Sequence, residues 1–341
     1  MLMQNNPKLD LKNQGHVSKW LDLFIKITPI GFAEKLSYLT PLLPCYHIVS
    51  NERIIHVCHL YSYKNERQFI DDVEFLCSRY QPISLGDLID HVRSGKKLKN
   101  GSFLLTFDDG YSQMYSVVAP ILFKKGIPAV FFPSTDFIDN RNLYYRNKAS
   151  IIAEFIINNE NYFDNIRKDL PPFLNVPFRE VPKRVLSIRY EETKGLDEIA
   201  ELFGIRFDDY LKNTRPYLSS IQIRKMIDMG FYFGAHSKDH PIYAELCLED
   251  QLNQTIGSLQ FIKKEFKLPY SVFAVPHNYI SVSKDFFRAI EAYVDLTFGN
   301  SDIDISSVAL NLKRINFEKT LEPARTILTR EFIRKRIYPW R

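Results

Sequence analysis

With 341 residues, 45% of them hydrophobic, 25% charged and 14% aromatic, the chain suits one large α/β domain, or a domain carrying an insertion. A formal charge of +5 weakly favours anionic partners and gives no argument for nucleic acid. The four cysteines, Cys45, Cys58, Cys77 and Cys247, show no CxxC spacing and read as reduced thiols, not a disulfide frame.

The N-terminal stretch "MLMQNNPKLDLKNQGH" lacks a basic segment followed by a long apolar core, so no secretory signal is expected and a cytoplasmic location is. No run reaches the ~20 apolar residues of a spanning helix. Residues 1–41 read as a helical extension, and "KWLDLFIKITPIGF" (19–32) joins apolar residues to two lysines. At the other end, "TREFIRKRIYPWR" (329–341) interleaves Phe332, Ile333, Ile337, Tyr338 and Trp340 with basic residues. Docked helices explain both ends. Peripheral contact with a membrane surface is the alternative.

From residue 42 to the end a strand–helix rhythm sets in. "LLPCYHIVS" (42–50) reads as a buried strand, 65–80 as a helix with Phe69, Val73 and Leu76 on one face, and 84–95 as a helix opened by Ser84 and closed by Gly95. "GSFLLTFDDG" is a strand, 116–126 a helix, and 128–135 another strand. Residues 137–217 interrupt this rhythm with a polar, aromatic, Pro-containing stretch of short predicted helices, read as an insertion or lid. The rhythm then resumes with a helix at 219–230, a strand at 231–236, a helix at 248–266 and a strand at 271–276. A helix at 283–293, "DLTFG" and "LNLKRINF" follow. Such alternation indicates a largely parallel sheet covered by helices.

Ligands in α/β folds gather at the carboxyl ends of the strands. Three predicted strands end in chemistry: Asp108-Asp109-Gly110, His236-Ser237-Lys238-Asp239-His240-Pro241, and Pro276-His277-Asn278. Two histidines four apart on a turn, with one carboxylate, form a His₂Asp set that leaves coordination positions open, the pattern of catalytic zinc. Asp-Asp pairs alone are commonly turns or caps, and His-x-x-x-His alone is commonly unrelated histidines. Their conjunction at strand ends points to a divalent cation, which also removes the repulsion between adjacent carboxylates. One aspartate then binds the cation while its neighbour acts as a base.

"LLTFDDGY" and "GAHSKDHP" resemble the first two motifs of the polysaccharide deacetylases, the NodB-homology or carbohydrate esterase 4 enzymes. The resemblance extends over about residues 42–135 and 217–317, and "SVFAVPHNYIS" resembles the strand leading to the third motif. It implies a distorted (β/α)7-type barrel spanning 42–341, with 137–217 as a helical insertion. It further implies Asp109, His236 and His240 as metal ligands, Asp108 as general base, and the backbone N–H of Tyr111 as oxyanion donor. Zinc is the default metal, and other divalent first-row ions suit the same ligands.

Two departures stand out. "LNLKRINF" lacks the late histidine acid of most members, whereas Tyr46-His47 resembles the early Tyr-His strand of the poly-N-acetylglucosamine deacetylase branch. His47 is therefore the expected acid, with His277 second and His59 third. Phe273 stands where the third motif supplies an arginine to tune the base, and Arg314 is the candidate substitute. His277, Asn278 and His59 are also candidate substrate contacts. The implied activity is removal of acetyl from an N-acetylated sugar, as a cytoplasmic lipid-linked or nucleotide-linked intermediate of surface polysaccharide synthesis. The alternatives are an O-acetyl esterase or deformylase on the same site, or a non-catalytic carbohydrate-binding protein on a decayed fold. Nothing in the residues selects an oligomeric state.

Overall fold

The computed structural model describes residues 23–36, 41–99, 101–277, 282–299 and 310–337. The chain divides into two units: one combines its ends, Met1–Leu39 with Glu322–Arg341, and the other is Thr40–Leu321. In the first, the short helix Ile30–Leu36 packs on the helix Ala324–Ile337. No helix among the described residues is long and apolar enough to cross a membrane.

The larger unit is mixed α/β with parallel strands. Its strands are β1 (Pro44–Tyr46), β2 (Gln81–Pro82), β3 (Ser102–Phe103), β4 (Leu105–Asp109), β5 (Ala129–Pro133), β6 (Tyr232–Phe233), β7 (Val272–Ala274), β8 (Leu296–Gly299), β9 (Asn311–Lys313) and β10 (Ile315–Asn316). β2 and β3 pair with each other; the rest form a five-stranded sheet, β10-β1-β4-β5-β6, and a three-stranded sheet, β7-β8-β9. A parallel bridge between Ala235 and Phe273 joins β6 to β7. At the other margin Arg314 breaks one extended run in two, its N–H donating to Gly299 of β8 while Ile315 donates to Leu43 beside β1. The expected α/β architecture is thus present, but the described strands form three separate sheets and not a closed barrel, with the two larger ones meeting at these junctions.

Alternation along the strands separates two faces. On one, Tyr46, Phe107, Phe131 and Phe233 lie opposite one another in register across β1, β4, β5 and β6. Their rings stack in sequence at 5.6, 4.9 and 5.5 Å. On the other face Phe132 reaches Phe298 of the second sheet at 5.1 Å, and Asp108, the neighbour of Phe107, turns to this side.

Capping explains several helix boundaries. Asn65 with Gln68, Ser84 with Asp87 and Ser219 with Gln222 form capping boxes, and Gly95 and Gly126 close helices in the left-handed conformation. The predicted helix 116–126 begins instead as a π turn, Met114–Val118, before the α-helix Ala119–Lys125. Pro120 has no N–H to continue an α ladder backward, which accounts for the altered start. Residues 137–217 fold as a helical cluster in which Tyr145–Asn158 packs on Val181–Leu186 and Thr193–Leu202.

Candidate active site

β4 ends at Asp109, whose φ of 66° lies in the left-handed region that non-glycine residues rarely enter. In a continued strand Asp108 and Asp109 would face opposite sides. The left-handed turn lets both carboxylates line one cleft of about 550 Å³. Gly110 follows at φ 73°, where a Cβ would lie 2.6 Å from Pro133 Cβ. Ser237, His240 and His277 also have positive φ, so unusual backbone is concentrated at these strand ends.

Asp109, His236 and His240 converge. His240 Nε2 lies 3.1 Å from Asp109 Oδ1 and 3.1 Å from His236 Nε2, and His236 Nε2 is 3.6 Å from Asp109 Oδ1. Ligand atoms about 2.05 Å from a tetrahedral cation would stand about 3.3 Å apart, so these spacings bracket that of a zinc-sized ion. His236 Nδ1 lies 2.8 Å from the Ala274 carbonyl, which fixes Nδ1 as the donor and leaves the Nε2 lone pair for a cation. Burial pushes the His236 pKa down to about 4, so the ring is neutral, as a ligand must be. Asp109 Oδ1 is buried with no hydrogen-bond donor. Burial opposes the charge of Asp109, yet His240, His47 and His236 hold it well below the usual carboxylate range. The three side chains fit a divalent cation.

The loop that presents the histidines is fixed from several directions. Ser237 Oγ accepts the His240 N–H at 3.0 Å, Ser134 Oγ donates to the His236 carbonyl, and Gln254 accepts from the Lys238 N–H. Beside the cation site, Arg314 donates to both oxygens of Asp108 at 2.6 Å, and both side chains are buried. Burial alone would raise the Asp108 pKa, but Arg314 and His236 keep it below its ordinary value. Phe273 lies in β7 with a fully buried side chain.

Across the cleft, His47 has a ring nitrogen within 4.8 Å of an Asp108 oxygen. Its neighbour Tyr46 points the other way, into the core, where its hydroxyl donates to Asp72. Glu318 holds His47 twice, accepting the backbone N–H at 2.7 Å and meeting Nδ1 at 2.8 Å; its second oxygen accepts the Ile48 N–H. Burial lowers the His47 pKa, but the carboxylates of Glu318, Asp109 and Asp108 outweigh it and raise the value to about 9.

The remaining expected residues divide. Tyr111 is buried and forms a bridge with Tyr217, made by the Ser112 and Leu218 N–H groups, so the bridge leaves the Tyr111 N–H unused. His277 lines the cleft, with its ring 4.6 Å from that of His240. His59 is not among the cleft-lining residues; its Nε2 pairs with Glu154 at 2.8 Å, which turns it away from the cleft. Asn278 lies outside the described residues. Sequence reasoning missed Glu318, which sits just past the end of β10 with no motif to mark it. It also missed Tyr61, whose hydroxyl donates to Asp109, and the contribution of the insertion: Tyr144, 4.6 Å from the His240 ring, and Arg146.

The carboxyl ends of these parallel strands therefore gather a carboxylate–imidazole set that could hold a cation, beside an arginine-held carboxylate. Residues 95–160 match the family described as Polysaccharide deacetylase. Over 60 residues the chain is 42% identical to the poly-beta-1,6-N-acetyl-D-glucosamine N-deacetylase of Escherichia coli strain K12, a match covering 18% of this chain and only 9% of that protein. The structure of the Streptococcus pyogenes deacetylase PplD in complex with acetate shares the fold, with a TM-score of 0.56 and 14% identity over 86% of this chain and 99% of that one. IcaB from Ammonifex degensii aligns with a TM-score of 0.48 and 16% identity over 81% of this chain and 90% of that one. The likeness to polysaccharide deacetylases is thus carried in sequence by residues 95–160, and the fold is shared with a solved deacetylase.

Proposed function

We propose that the protein is a metal-dependent N-deacetylase that hydrolyses the acetamide of an N-acetylated sugar. The observation that carries this reading is the convergence of Asp109, His236 and His240 beside Asp108, with His47 facing Asp108 across the cleft. A divalent cation held by those three residues, zinc by default, would polarise the acyl carbonyl and acidify water. Asp108, ionised through Arg314, accepts a proton from the attacking water as its oxygen bonds to the amide carbon. The Tyr111 N–H donates to the oxyanion, a contribution of about 3 kcal/mol. His47, held protonated by Glu318, gives its proton to the amine as the C–N bond breaks and acetate leaves. Arg314 takes the tuning role that Phe273 cannot fill.

The proposal includes the cytoplasmic site of action and the place in surface-glycan synthesis expected from the sequence. It is tested by measuring acetate and free amine together on acetylated sugars. Asp108→Asn is expected to lower kcat by about 10²–10⁴-fold, and chelation to abolish turnover. Acetate without a new amine would instead indicate an O-acetyl esterase, and formate a deformylase. Asp108→Asn with wild-type turnover would overturn the role given to that residue.

A further inference from the structure

Each carboxylate in the cleft already faces a positive or cation-holding partner. Arg314 serves Asp108, His47 serves Glu318, and the two ligand histidines serve Asp109. Two more cationic side chains line the same cleft, Arg146 and Lys319, and neither has an acidic partner among the described residues. Arg146 is the second residue of the helix Tyr145–Asn158 and is half-buried, two positions after the Tyr144 ring that packs on His240. Lys319 directly follows Glu318, and its backbone N–H is fixed by Asn316 Oδ1 at 2.8 Å. The insertion and the turn after β10 thus each bring one uncompensated cation to the acyl site.

A neutral glycan would give these cations no charge to bind, and a half-buried guanidinium without a counterion is unfavourable. Arginine grips a phosphate through two parallel donors, while lysine adds a point charge. We propose that Arg146 and Lys319 form an anion subsite in this cleft, so that the acetylated sugar is taken as a phosphate or diphosphate ester. The inference rests on the deacetylase reading for the identity of the sugar end. The ester could come from a nucleoside diphosphate or from a lipid carrier, which share this chemistry.

The test compares an N-acetylhexosamine 1-phosphate with the methyl glycoside of the same sugar on the metal-loaded protein. Acetate release is followed, and binding is measured separately by calorimetry on Asp108→Asn. The phosphate ester is expected to be preferred by at least tenfold in kcat/KM and in affinity, and the preference should shrink with added salt. Lys319→Gln, at an exposed position, should reduce that ratio, and Arg146→Gln with Lys319→Gln should bring it close to one. Equal use of both sugars overturns the subsite while leaving deacetylation standing. A preference that survives in the double variant also overturns it, since the cation site alone would then hold the phosphate. Phosphate-selective binding lost in the double variant, without acetate release from either sugar, would uphold the subsite and sink the deacetylase reading. With selectivity established, a nucleoside diphosphate sugar and an alkyl diphosphate sugar distinguish the two sources.

Discussion

Asp108 is a buried carboxylate whose charge is favoured first by Arg314 and then by His236. Arg314→Met leaves that charge without its hydrogen-bonded partner, and breaking a buried pair costs about 3–5 kcal/mol. Because Arg314 lowers the Asp108 pKa, its loss raises it, and the base is then neutralised at a higher pH. The acidic limb of kcat/KM should therefore move up in Arg314→Met, and denaturant unfolding should show the lost stability. His47 behaves with the opposite sign. Its pKa is raised from 6.5 to about 9, so its protonation stabilises the fold fully below 6.5, and this contribution is lost as pH rises through 9. Glu318→Gln removes the main support for that charge, so the basic limb of the pH–rate profile should shift to lower pH. A basic limb unmoved by this variant would assign the acid elsewhere. The aspartates and the histidine pair were legible in the sequence because adjacent carboxylates and His-x-x-x-His at strand ends are rare in combination. Glu318 was not, because a lone glutamate after a strand has no spacing to mark it; only the fold brings it to His47.

At the scale of the element, β4 shows how a strand end becomes a site. Its last residue leaves the extended conformation, and the next must be glycine because Pro133 occupies the space of a Cβ. Gly110→Ala therefore meets both a left-handed backbone and a clash 2.6 Å from Pro133 Cβ. The backbone alone costs about 1–2 kcal/mol, so the free energy of unfolding should drop by at least that much, Tm should fall, and cation affinity should fall with it. Helices with capping boxes could be read from sequence almost to the residue, and so could Leu248–Phe266, whose N-cap Cys247 makes no side-chain cap. The division at Arg314 could not, because "LNLKRINF" has the pattern of one continuous strand. What splits it is the partner on each side, β8 for its first half and β1 for its second.

For the whole molecule, the proposed cation site ties distant parts of the chain, since Asp109 comes from the end of β4 and His236 and His240 from the loop after β6. Binding to the folded state alone stabilises by about 2.7 kcal/mol at a hundredfold excess over Kd. Zinc added to chelator-stripped protein should raise Tm, and His240→Ala should abolish the rise. An unchanged Tm in the wild-type protein would argue against the assigned ligands. The insertion was legible as an interruption of the β/α rhythm, while its contribution to the cleft depended on tertiary packing that no local pattern encodes.

Phe137 and Tyr217, at the two margins of that insertion, stack with ring centroids 5.1 Å apart. The chain therefore returns almost to the point it left, and loop closure grows only slowly more costly with length. The part of the segment beyond Tyr144–Asn147, which touch His240 and Tyr111, could therefore vary in length with the strands left in place. Phe137 and Tyr217 mark where the segment could be excised or exchanged with its two ends left side by side.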